Sequence, residues 1–437
     1  MRDIALFMLL VGSIPFIFRR PFIGVLLWCW ISYMLPHRMM FGFMYTFPVA
    51  QMIAIVTLAA YVFSKEPKTI SLEAPIKWLI AFYLMMFLSW LLHDKTPFVN
   101  MLAMKVLKVQ FFTLIILTLL TTRKRIEAAL WVVALSIGYY GVKGGAFTLI
   151  TAGAYRVWGP PDGFFGENNA MAVTNLMIAP IFLYLSTTVN KSWAKWALIG
   201  CAGLTVIAVF GSHSRGALLS LLAAGFIFWL RSKRKMLPAL AVLIAFPIMF
   251  SFMPDNWHER MGTIFVSEEG GEHRESSSAS RLNAWQAGFN MSLSHPFAGG
   301  FNAETPKNWI IYAPNPNDFV AFHSNYFQVL GKHGWFALIC FLMVFYSSWR
   351  LANRVIKSIN DEPSLKWAEN LCRMLQVSIV VYMVGGAFLS LAYFDLPYHF
   401  VISIVAIKII VDRQLSKLSD RREETSESPA WKKNIIG

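Results

Sequence analysis

Long apolar runs separated by short polar connections recur along almost the whole chain. They cover approximately residues 4–18, 21–35, 48–63, 77–92, 105–121, 126–143, 169–187, 194–211, 215–230, 236–253, 335–350, 372–393 and 397–411. A helix needs about 20 largely apolar residues to cross the hydrocarbon core of a bilayer. The pattern therefore predicts an all-α polytopic membrane protein with about 12 transmembrane helices. The first two runs are short enough to form a re-entrant pair or one interrupted helix, which leaves the number open between about 12 and 13.

Composition and charge agree with this fold class. Hydrophobic residues make up 56% of the 437 residues and charged residues only 14%, which is too apolar for a soluble protein of this size. The net charge of +15 would suggest nucleic acid in a soluble protein, but much of it lies in short clusters between apolar runs, as at 122–125 and 231–235. Such clusters indicate membrane topology, and we expect no nucleic-acid partner.

The basic clusters also predict the direction of the helices. If the runs alternate, the connections at 122–125, 231–235 and 349–371 lie on one side, and their Lys and Arg residues identify it as the cytoplasm. The opposite side receives the two longest connections that are not simply basic, 144–168 and 254–334. We expect functional residues there.

Four regions follow from this pattern. They are an N-terminal transmembrane bundle (1–253), an outer loop subdomain with candidate catalytic residues (254–334), C-terminal transmembrane helices (335–411) and a cytoplasmic tail expected to be disordered (412–437).

The outer loop subdomain contains a predicted amphipathic helix. Residues 268–280 are rich in Glu, Gly and Ser and predict a flexible loop, after which Ser280 is a plausible N-cap. Apolar residues then recur at helical spacing: Leu282, Trp285, Phe289 and Leu293. We expect this helix to lie at the outer membrane interface.

Three residues of the outer side are candidates for chemistry. Arg215 directly precedes an apolar run, where a guanidinium meets either an anion or, as the alternative, lipid headgroups. His323 lies before the next membrane segment, and histidine suits proton transfer near neutral pH, although a lone histidine is often structural. Arg281 opens the amphipathic helix and could face the same surface.

Further outer-side residues could contact a phosphate or a sugar. Arg156 and Lys143 are cations that could bind a diphosphate, or could equally be interfacial anchors. Asn169, within Glu167-Asn168-Asn169, offers sugar contacts, although helix capping is the favoured interpretation. The sequence has no Gly-rich phosphate loop and no cluster with metal-ligand spacing, so we expect neither a metal nor another cofactor.

The stretch from His323 to Gly334 resembles the signature of the O-antigen ligase family. That signature is a His followed by Ser, Asn or Gln, then nine residues and a Gly, and here it is His323-Ser324, nine residues and Gly334. Further similarities to the ligase and polymerase superfamily are Ser280-Arg-Leu-x-x-Trp285, Ser294-His-Pro-x-x-Gly-Gly300 and Gly211-Ser-His-Ser-Arg-Gly216. Arg19-Arg-Pro-Phe-Ile-Gly-Val25 and Tyr139-Tyr-Gly-Val-Lys-Gly-Gly145 are similar to glycan ligases from exosortase-associated gene neighbourhoods.

This resemblance implies a multi-pass glycosyltransferase of a Gram-negative inner membrane, with its active site in a long periplasmic loop that contains short amphipathic helices. Its substrates would be O-antigen carried on undecaprenyl diphosphate and the lipid A core oligosaccharide, with membrane lipids around it. His323 would be the general base, and Arg215 and Arg281 would bind the diphosphate, with further contacts from Arg156, Lys143 and Asn169. The reaction would invert the anomeric carbon and need no metal.

Other functions stay open from the sequence. An O-antigen polymerase or a protein O-oligosaccharyltransferase would use the same donor, and Ala337 departs from the Gly, Thr or Tyr that usually ends the ligase signature. A transporter of lipid-linked glycans is the alternative from a different class, and it would need charged residues deep in the bundle. Glu304 and Asp318 are the nearest carboxylates for a double displacement, and nothing in the sequence singles them out.

Overall fold

The computed structural model describes residues 1–231, 247–262, 275–359 and 362–427, and in these residues the fold is all-helical. Helices account for 78% of the structure, with no strand in the part that is described. The helices are α1 (Arg2–Arg19), α2 (Pro21–Met34), α3 (Val49–Phe63), α4 (Ala74–Leu92), α5 (Pro97–Leu119), α6 (Arg123–Ile150), α7 (Asn168–Leu185), α8 (Ser192–Gly211), α9 (Arg215–Arg231), α10 (Asp255–Gly262), α11 (Glu275–Ser294), α12 (Pro306–Tyr312), α13 (Asn325–Ser358), α14 (Lys366–Gly385) and α15 (Leu396–Glu427). The predicted fold class is confirmed at this level.

Many of these helices have the length and apolar character of membrane spans. Within the described ranges, seven helical stretches are long and apolar enough to cross a membrane, and three shorter apolar helices accompany them. The chain is thus a multi-pass membrane protein, while the number of about 12 spans stays a prediction. The predicted run 236–253 lies mostly outside the described residues.

Side-chain contacts define two ends of the helix bundle. Arg125, at the start of α6, forms an ion pair of 2.6 Å with Glu66 in the link between α3 and α4. Two residues further along α6, Glu127 accepts a hydrogen bond of 2.7 Å from Tyr184 near the end of α7. We call this the basic end, because the predicted basic connection 122–125 lies there.

The opposite end carries the long connections, and we call it the loop-rich end. Asn168, at the start of α7, donates a hydrogen bond of 2.8 Å to the carbonyl of Ser212, at the end of α8. Trp257 of α10 donates one of 3.0 Å to the carbonyl of Phe210. One end of the bundle therefore contains the start of α7, the turn after α8 and helix α10.

The N-terminal apolar runs form two separate helices, not one interrupted helix. Arg20 has an extended backbone between α1 and α2, and Pro21 opens α2, where its missing N–H is not needed. α2 then packs closely on α3, since a Cβ at Gly24 would come within 2.0 Å of the Thr57 hydroxyl.

The most enclosed span is α7. Buried residues make up 89% of its membrane-length window, compared with 33% for α4. Because α7 begins at Asn168, its N-terminus lies inside the loop-rich end, with other helix ends around it. This placement matters for the site described below.

The amphipathic helix of the outer loop differs from its prediction in two respects. α11 begins at Glu275, so Ser280 is inside the helix and its predicted role as N-cap is wrong. The buried face consists of small residues and Met291 (Asn283, Ala284, Ala287, Gly288, Met291 and Ser292), while Leu282 and Leu293 are 61% and 66% exposed. Small residues are required because α11 packs closely on α13, where a Cβ at Gly331 would lie 3.0 Å from the Cα of Gly288. Of the predicted flexible loop 268–280, residues 268–274 lie outside the described part, and the prediction is wrong for residues 275–280, which belong to α11.

The predicted disorder of the tail 412–437 is wrong for residues 412–427, which continue α15. Between Arg413 and Glu427 the sequence has no Gly or Pro and is rich in Lys, Arg, Glu and Leu, which have high helix propensity. An ion pair between Lys408 and Asp412 supports the same helix at i,i+4 spacing. Residues 428–437 lie outside the described part.

Candidate active site at the loop-rich end

A tight turn between α8 and α9 presents Arg215. In this turn His213 has a left-handed backbone (φ 55°), and its ring forms a hydrogen bond of 2.9 Å with the carbonyl of Gly153. The Ser214 hydroxyl then accepts a hydrogen bond of 3.2 Å from the Ala217 N–H, which caps the start of α9. Arg215 is half-buried at the first position of this helix.

The start of α7 lies beside this turn. The predicted capping by 167–169 is wrong, because Glu167 occupies the N-cap position without a capping hydrogen bond from its side chain. Instead, the buried Asn168 side chain binds the Ser212 carbonyl and ties α7 to the turn before α9. Asn169 is thereby directed to a cavity between the two helix starts.

This cavity joins several predicted site residues. It has a volume of about 390 Å³, including space open to solvent. It is lined by Asn169, Ser214, Arg215, Gly216, Ala217, Arg281, Phe388 and Leu389. Two guanidinium groups and the N-terminus of α9 thus face one space, and each favours an anion.

Arg281 is a cation held close to a second cation, Arg215. Burial lowers its pKa, the positive charge of Arg215 lowers it further, and the negative charge of Glu167 opposes both effects. A bound anion would relieve the repulsion between the two arginines. A phosphate or diphosphate has the charge and the acceptor oxygens for this.

His323 lies in a strained and firmly held backbone segment. Its φ is 45°, which is uncommon for a residue other than glycine. The preceding Phe322 is held through both backbone groups: its N–H donates to Glu304 Oε1 at 3.0 Å, and its carbonyl accepts from Trp285 Nε1 at 2.7 Å. Such strain persists only where the surrounding structure enforces it, and it is concentrated at functional sites.

His323 is electrostatically linked to Arg281 of the cavity. Burial lowers its pKa, and the positive charge of Arg281 lowers it further, while Glu167 and Glu304 oppose these effects. The lowered pKa keeps the imidazole neutral at physiological pH, which is the form that accepts a proton.

A buried ion pair, which no local sequence pattern predicts, lies next to His323. Lys332 Nζ lies 2.6 Å from Glu304 Oε2, and their side chains are only 5% and 22% exposed. Burial raises the pKa of Glu304, but the charge and hydrogen bond of Lys332 and the Phe322 N–H outweigh it, so the pKa is lowered overall.

The family signature ends at a kink. Gly334 has φ 82° inside α13, and a Cβ there would lie 2.0 Å from the carbonyl oxygen of Pro296. Nearby, the Gly299 N–H donates to the Gly331 carbonyl at 3.0 Å. The His-Pro segment and the end of the signature therefore hold each other in place.

Other candidate residues do not reach the cavity. Arg156 is exposed in the 151–167 link and Lys143 is exposed on α6, and neither lines the cavity. Their contacts with a substrate stay predictions. His333 is fully buried and forms a hydrogen bond of 2.6 Å with the Tyr393 hydroxyl, which indicates a structural role. Across the described ranges, no three His, Cys, Asp or Glu side chains are grouped closely enough to hold a metal ion.

Comparison with known protein families gives two matches. Residues 200–342 match the model of a family described as O-antigen ligase, and residues 1–190 match a family of unknown function, DUF5935. No curated protein matches the chain. The first match includes Arg215, Arg281 and His323, and it confirms the family resemblance found in the sequence.

Proposed function

Because the chain carries an O-antigen ligase family domain at residues 200–342, we propose that it is a glycosyltransferase that transfers a lipid-linked glycan. In this proposal the donor is O-antigen on undecaprenyl diphosphate and the acceptor is the lipid A core. The reaction takes place on the periplasmic face of a bacterial inner membrane.

The observation that carries this proposal is the joining of two arginines, a helix N-terminus and a histidine at one end of the bundle. Arg215 and Arg281 are 66 positions apart in the sequence (281 minus 215), yet they line one cavity. His323 is close enough for Arg281 to affect its pKa. An anion site beside a neutral base matches the needs of a reaction in which a diphosphate leaves and a hydroxyl loses a proton.

The proposed mechanism is a single displacement. Arg215, Arg281 and the start of α9 bind the diphosphate and stabilise the charge that develops on it. The acceptor hydroxyl attacks the anomeric carbon while His323 takes its proton. The bond between the anomeric carbon and the diphosphate oxygen breaks, undecaprenyl diphosphate leaves, and the anomeric configuration is inverted.

The position of Glu304 argues against this residue as the nucleophile of a double displacement. A double displacement needs a carboxylate free to attack the anomeric carbon. Both oxygens of Glu304 are engaged, one by Lys332 and the other by the Phe322 N–H. Glu304 is therefore poorly suited as a nucleophile.

The orientation in the membrane follows from charge. The basic end carries the predicted cytoplasmic connection 122–125, so in this proposal the loop-rich end with the cavity faces the periplasm. A polyprenyl donor in the outer leaflet would then present its diphosphate at the level of the cavity.

An O-antigen polymerase is the second candidate, because Ala337 departs from the ligase signature. A protein O-oligosaccharyltransferase would also use this donor. The three differ only in the acceptor.

A ligase-deficient strain that still makes lipid-linked O-antigen separates these functions. We expect the wild-type gene to restore high-molecular-weight lipopolysaccharide on gels, and His323→Ala to be present in membranes at equal abundance without restoring it. A change only in the length of the lipid-linked glycan would establish the polymerase instead, and glycosylated protein would establish the oligosaccharyltransferase.

A further inference from the structure

A buried ion pair lies directly behind the segment that carries His323. Glu304 lies in the loop after α11, and Lys332 lies near the start of α13. The distance between Lys332 Nζ and Glu304 Oε2 is 2.6 Å. Lys332 is only 5% exposed. Removing one partner of such a pair is strongly destabilising, whereas replacing both charged groups of a buried ion pair by apolar ones often costs no stability. The pair therefore calls for an explanation other than stability.

The second oxygen of Glu304 provides that explanation. Oε1 accepts the hydrogen bond of 3.0 Å from the Phe322 N–H, directly before His323. The Phe322 carbonyl is held by Trp285 at 2.7 Å, so the peptide groups on both sides of Phe322 are fixed. The left-handed backbone of His323 begins at the end of this fixed segment.

We propose that Glu304 is a positioning residue for His323, and that Lys332 is the counter-ion that holds the Glu304 carboxylate in place. Glu304 contacts neither substrate nor the reacting atoms in this proposal. It fixes the Phe322 amide and thereby the direction of the imidazole. The inference rests on the proposed function, since it assigns a role in supporting the same base.

The charges around His323 allow this role to be measured. Arg281 faces it from α11, Glu167 from the link before α7 and Glu304 from the loop after α11. Lys332 pairs with Glu304 from α13. Because the charge of Glu304 opposes the lowering of the His323 pKa, its removal should lower that pKa further.

Two double variants separate the hydrogen bond from the charge. Glu304→Gln with Lys332→Met removes both charges and keeps an acceptor for the Phe322 N–H. Glu304→Ala with Lys332→Met removes the charges and the acceptor. The matched control is Glu66→Gln with Arg125→Met, which removes an ion pair of the same 2.6 Å length at the basic end.

The experiment uses the full chain in lipid nanodiscs and has two measurements. One is the pH dependence of diethylpyrocarbonate modification of His323, read by peptide mass spectrometry, which does not depend on activity. The other is turnover with a lipid-linked glycan. We expect the Gln/Met variant to shift the His323 modification profile to lower pH and to turn over on the order of tenfold faster than the Ala/Met variant, with similar KM for the donor, because only the latter leaves the buried Phe322 N–H unsatisfied.

The control pair should leave the His323 profile and the turnover unchanged. Equal turnover of the two Glu304 variants, or a His323 profile in the Gln/Met variant identical to wild type, would overturn the proposal. If the wild type transfers no glycan, the proposed function fails, and the role of Glu304 is still decided by whether His323 modification differs between the Gln/Met and Ala/Met variants, which carry the same charges and differ only in the acceptor for the Phe322 N–H.

Discussion

Two histidines in the candidate site region have left-handed backbones. His213 (φ 55°) lies in the turn that presents Arg215, and His323 (φ 45°) lies just before α13. Each such conformation costs on the order of 1–3 kcal/mol and is retained only where the surroundings enforce it. Hydrogen bonds to neighbouring backbone groups provide this enforcement, from the His213 ring and on both sides of Phe322. The strained turn at His213 precedes Arg215, which lines the cavity, and His323 lies close enough to the cavity residue Arg281 for its charge to act on the imidazole.

Replacing His323 by Gln tests the proposed base. Gln has a polar side chain but cannot accept the proton, so we expect turnover to fall by roughly 10²–10⁴ while KM for the donor changes little. Initial rates with purified enzyme measure this. His295→Gln is the matched control, because His295 is exposed in the link after α11, whereas His323 is half-buried. Full activity of the His323 variant would eliminate this residue as the base.

The pH dependence of turnover tests the link between Arg281 and His323. The base acts in its neutral form, so the lowered pKa extends activity to lower pH. Arg281→Gln removes a positive charge that lowers the pKa of His323, and the pKa should rise towards its ordinary value. We therefore expect the acidic limb of the kcat profile, at saturating donor, to move to higher pH. If the acidic limb of the Arg281 variant stayed in place or moved to lower pH, the assignment of His323 as the base influenced by Arg281 would be contradicted. The control is Arg350→Gln, because Arg350 is exposed at the basic end.

The residues of the cavity could be predicted in part. Arg215, Asn169 and Arg281 were recognisable because each lies at or near the start of a helix on the predicted outer side. Glu304 and Lys332 could not be paired, because they are 28 residues apart (332 minus 304) and share no local pattern. Arg156 and Lys143 are cations outside the cavity, and the one-dimensional pattern does not distinguish them from its lining residues.

At the scale of helices, close packing between α11 and α13 connects the outer subdomain to the bundle. The contact uses Gly288 and Gly331, with the Phe322 ring beside them. Trp285 of α11 stacks on Phe327 of α13, with 5.0 Å between ring centroids. Because Phe322 directly precedes His323, the same contact holds the His323 segment against the bundle.

Gly331→Ala tests this packing. The new Cβ would lie 2.5 Å from Phe322 Cζ and 3.0 Å from the Gly288 Cα, so α11 must shift. We expect a loss of about 1–3 kcal/mol in the free energy of unfolding, measured by thermal unfolding in detergent, together with reduced turnover. Gly203→Ala on α8 is the control, since nothing lies within 4 Å of its Cβ, and it should be neutral or slightly stabilising. Equal unfolding temperatures for both variants would contradict the packing argument.

Helices of the bundle were predictable from their apolar runs, but their faces and ends were not. Run length alone identifies a span, because the bilayer thickness is fixed. The buried face of α11 escaped the apolar pattern because close approach selects small residues over large ones. The extension of α15 to Glu427 depends on polar residues of high helix propensity that do not contribute to an apolar run, and the serine-rich start of α11 has neither signal.

At the scale of the whole molecule, the functional residues gather at one end of the bundle. The enclosed helix α7 begins at the cavity, and α8, α9 and α13 each have one end there. The basic end instead contains the ion pairs Arg125–Glu66 and Arg123–Glu127. A membrane enzyme needs this separation, because a lipid-linked substrate is presented on only one face.

Cysteine labelling tests the orientation of the two ends. Gln286 is exposed on α11, and Lys195 is exposed near the start of α8 at the basic end. In a background with Cys201 replaced by Ser, the remaining native cysteines are buried. We expect a membrane-impermeant maleimide to label Gln286→Cys in spheroplasts and Lys195→Cys only after lysis. The opposite pattern would place the cavity in the cytoplasm.

The most direct test of the central claim is the turnover of purified enzyme with undecaprenyl-diphosphate-linked glycan and lipid A core acceptor. We predict glycan transfer by the wild type and by the control Arg350→Ala, and losses of at least about 10²-fold for Arg215→Ala, Arg281→Ala and His323→Ala. Undiminished transfer by any of these three variants would contradict the claim that the two arginines and the histidine form one catalytic site.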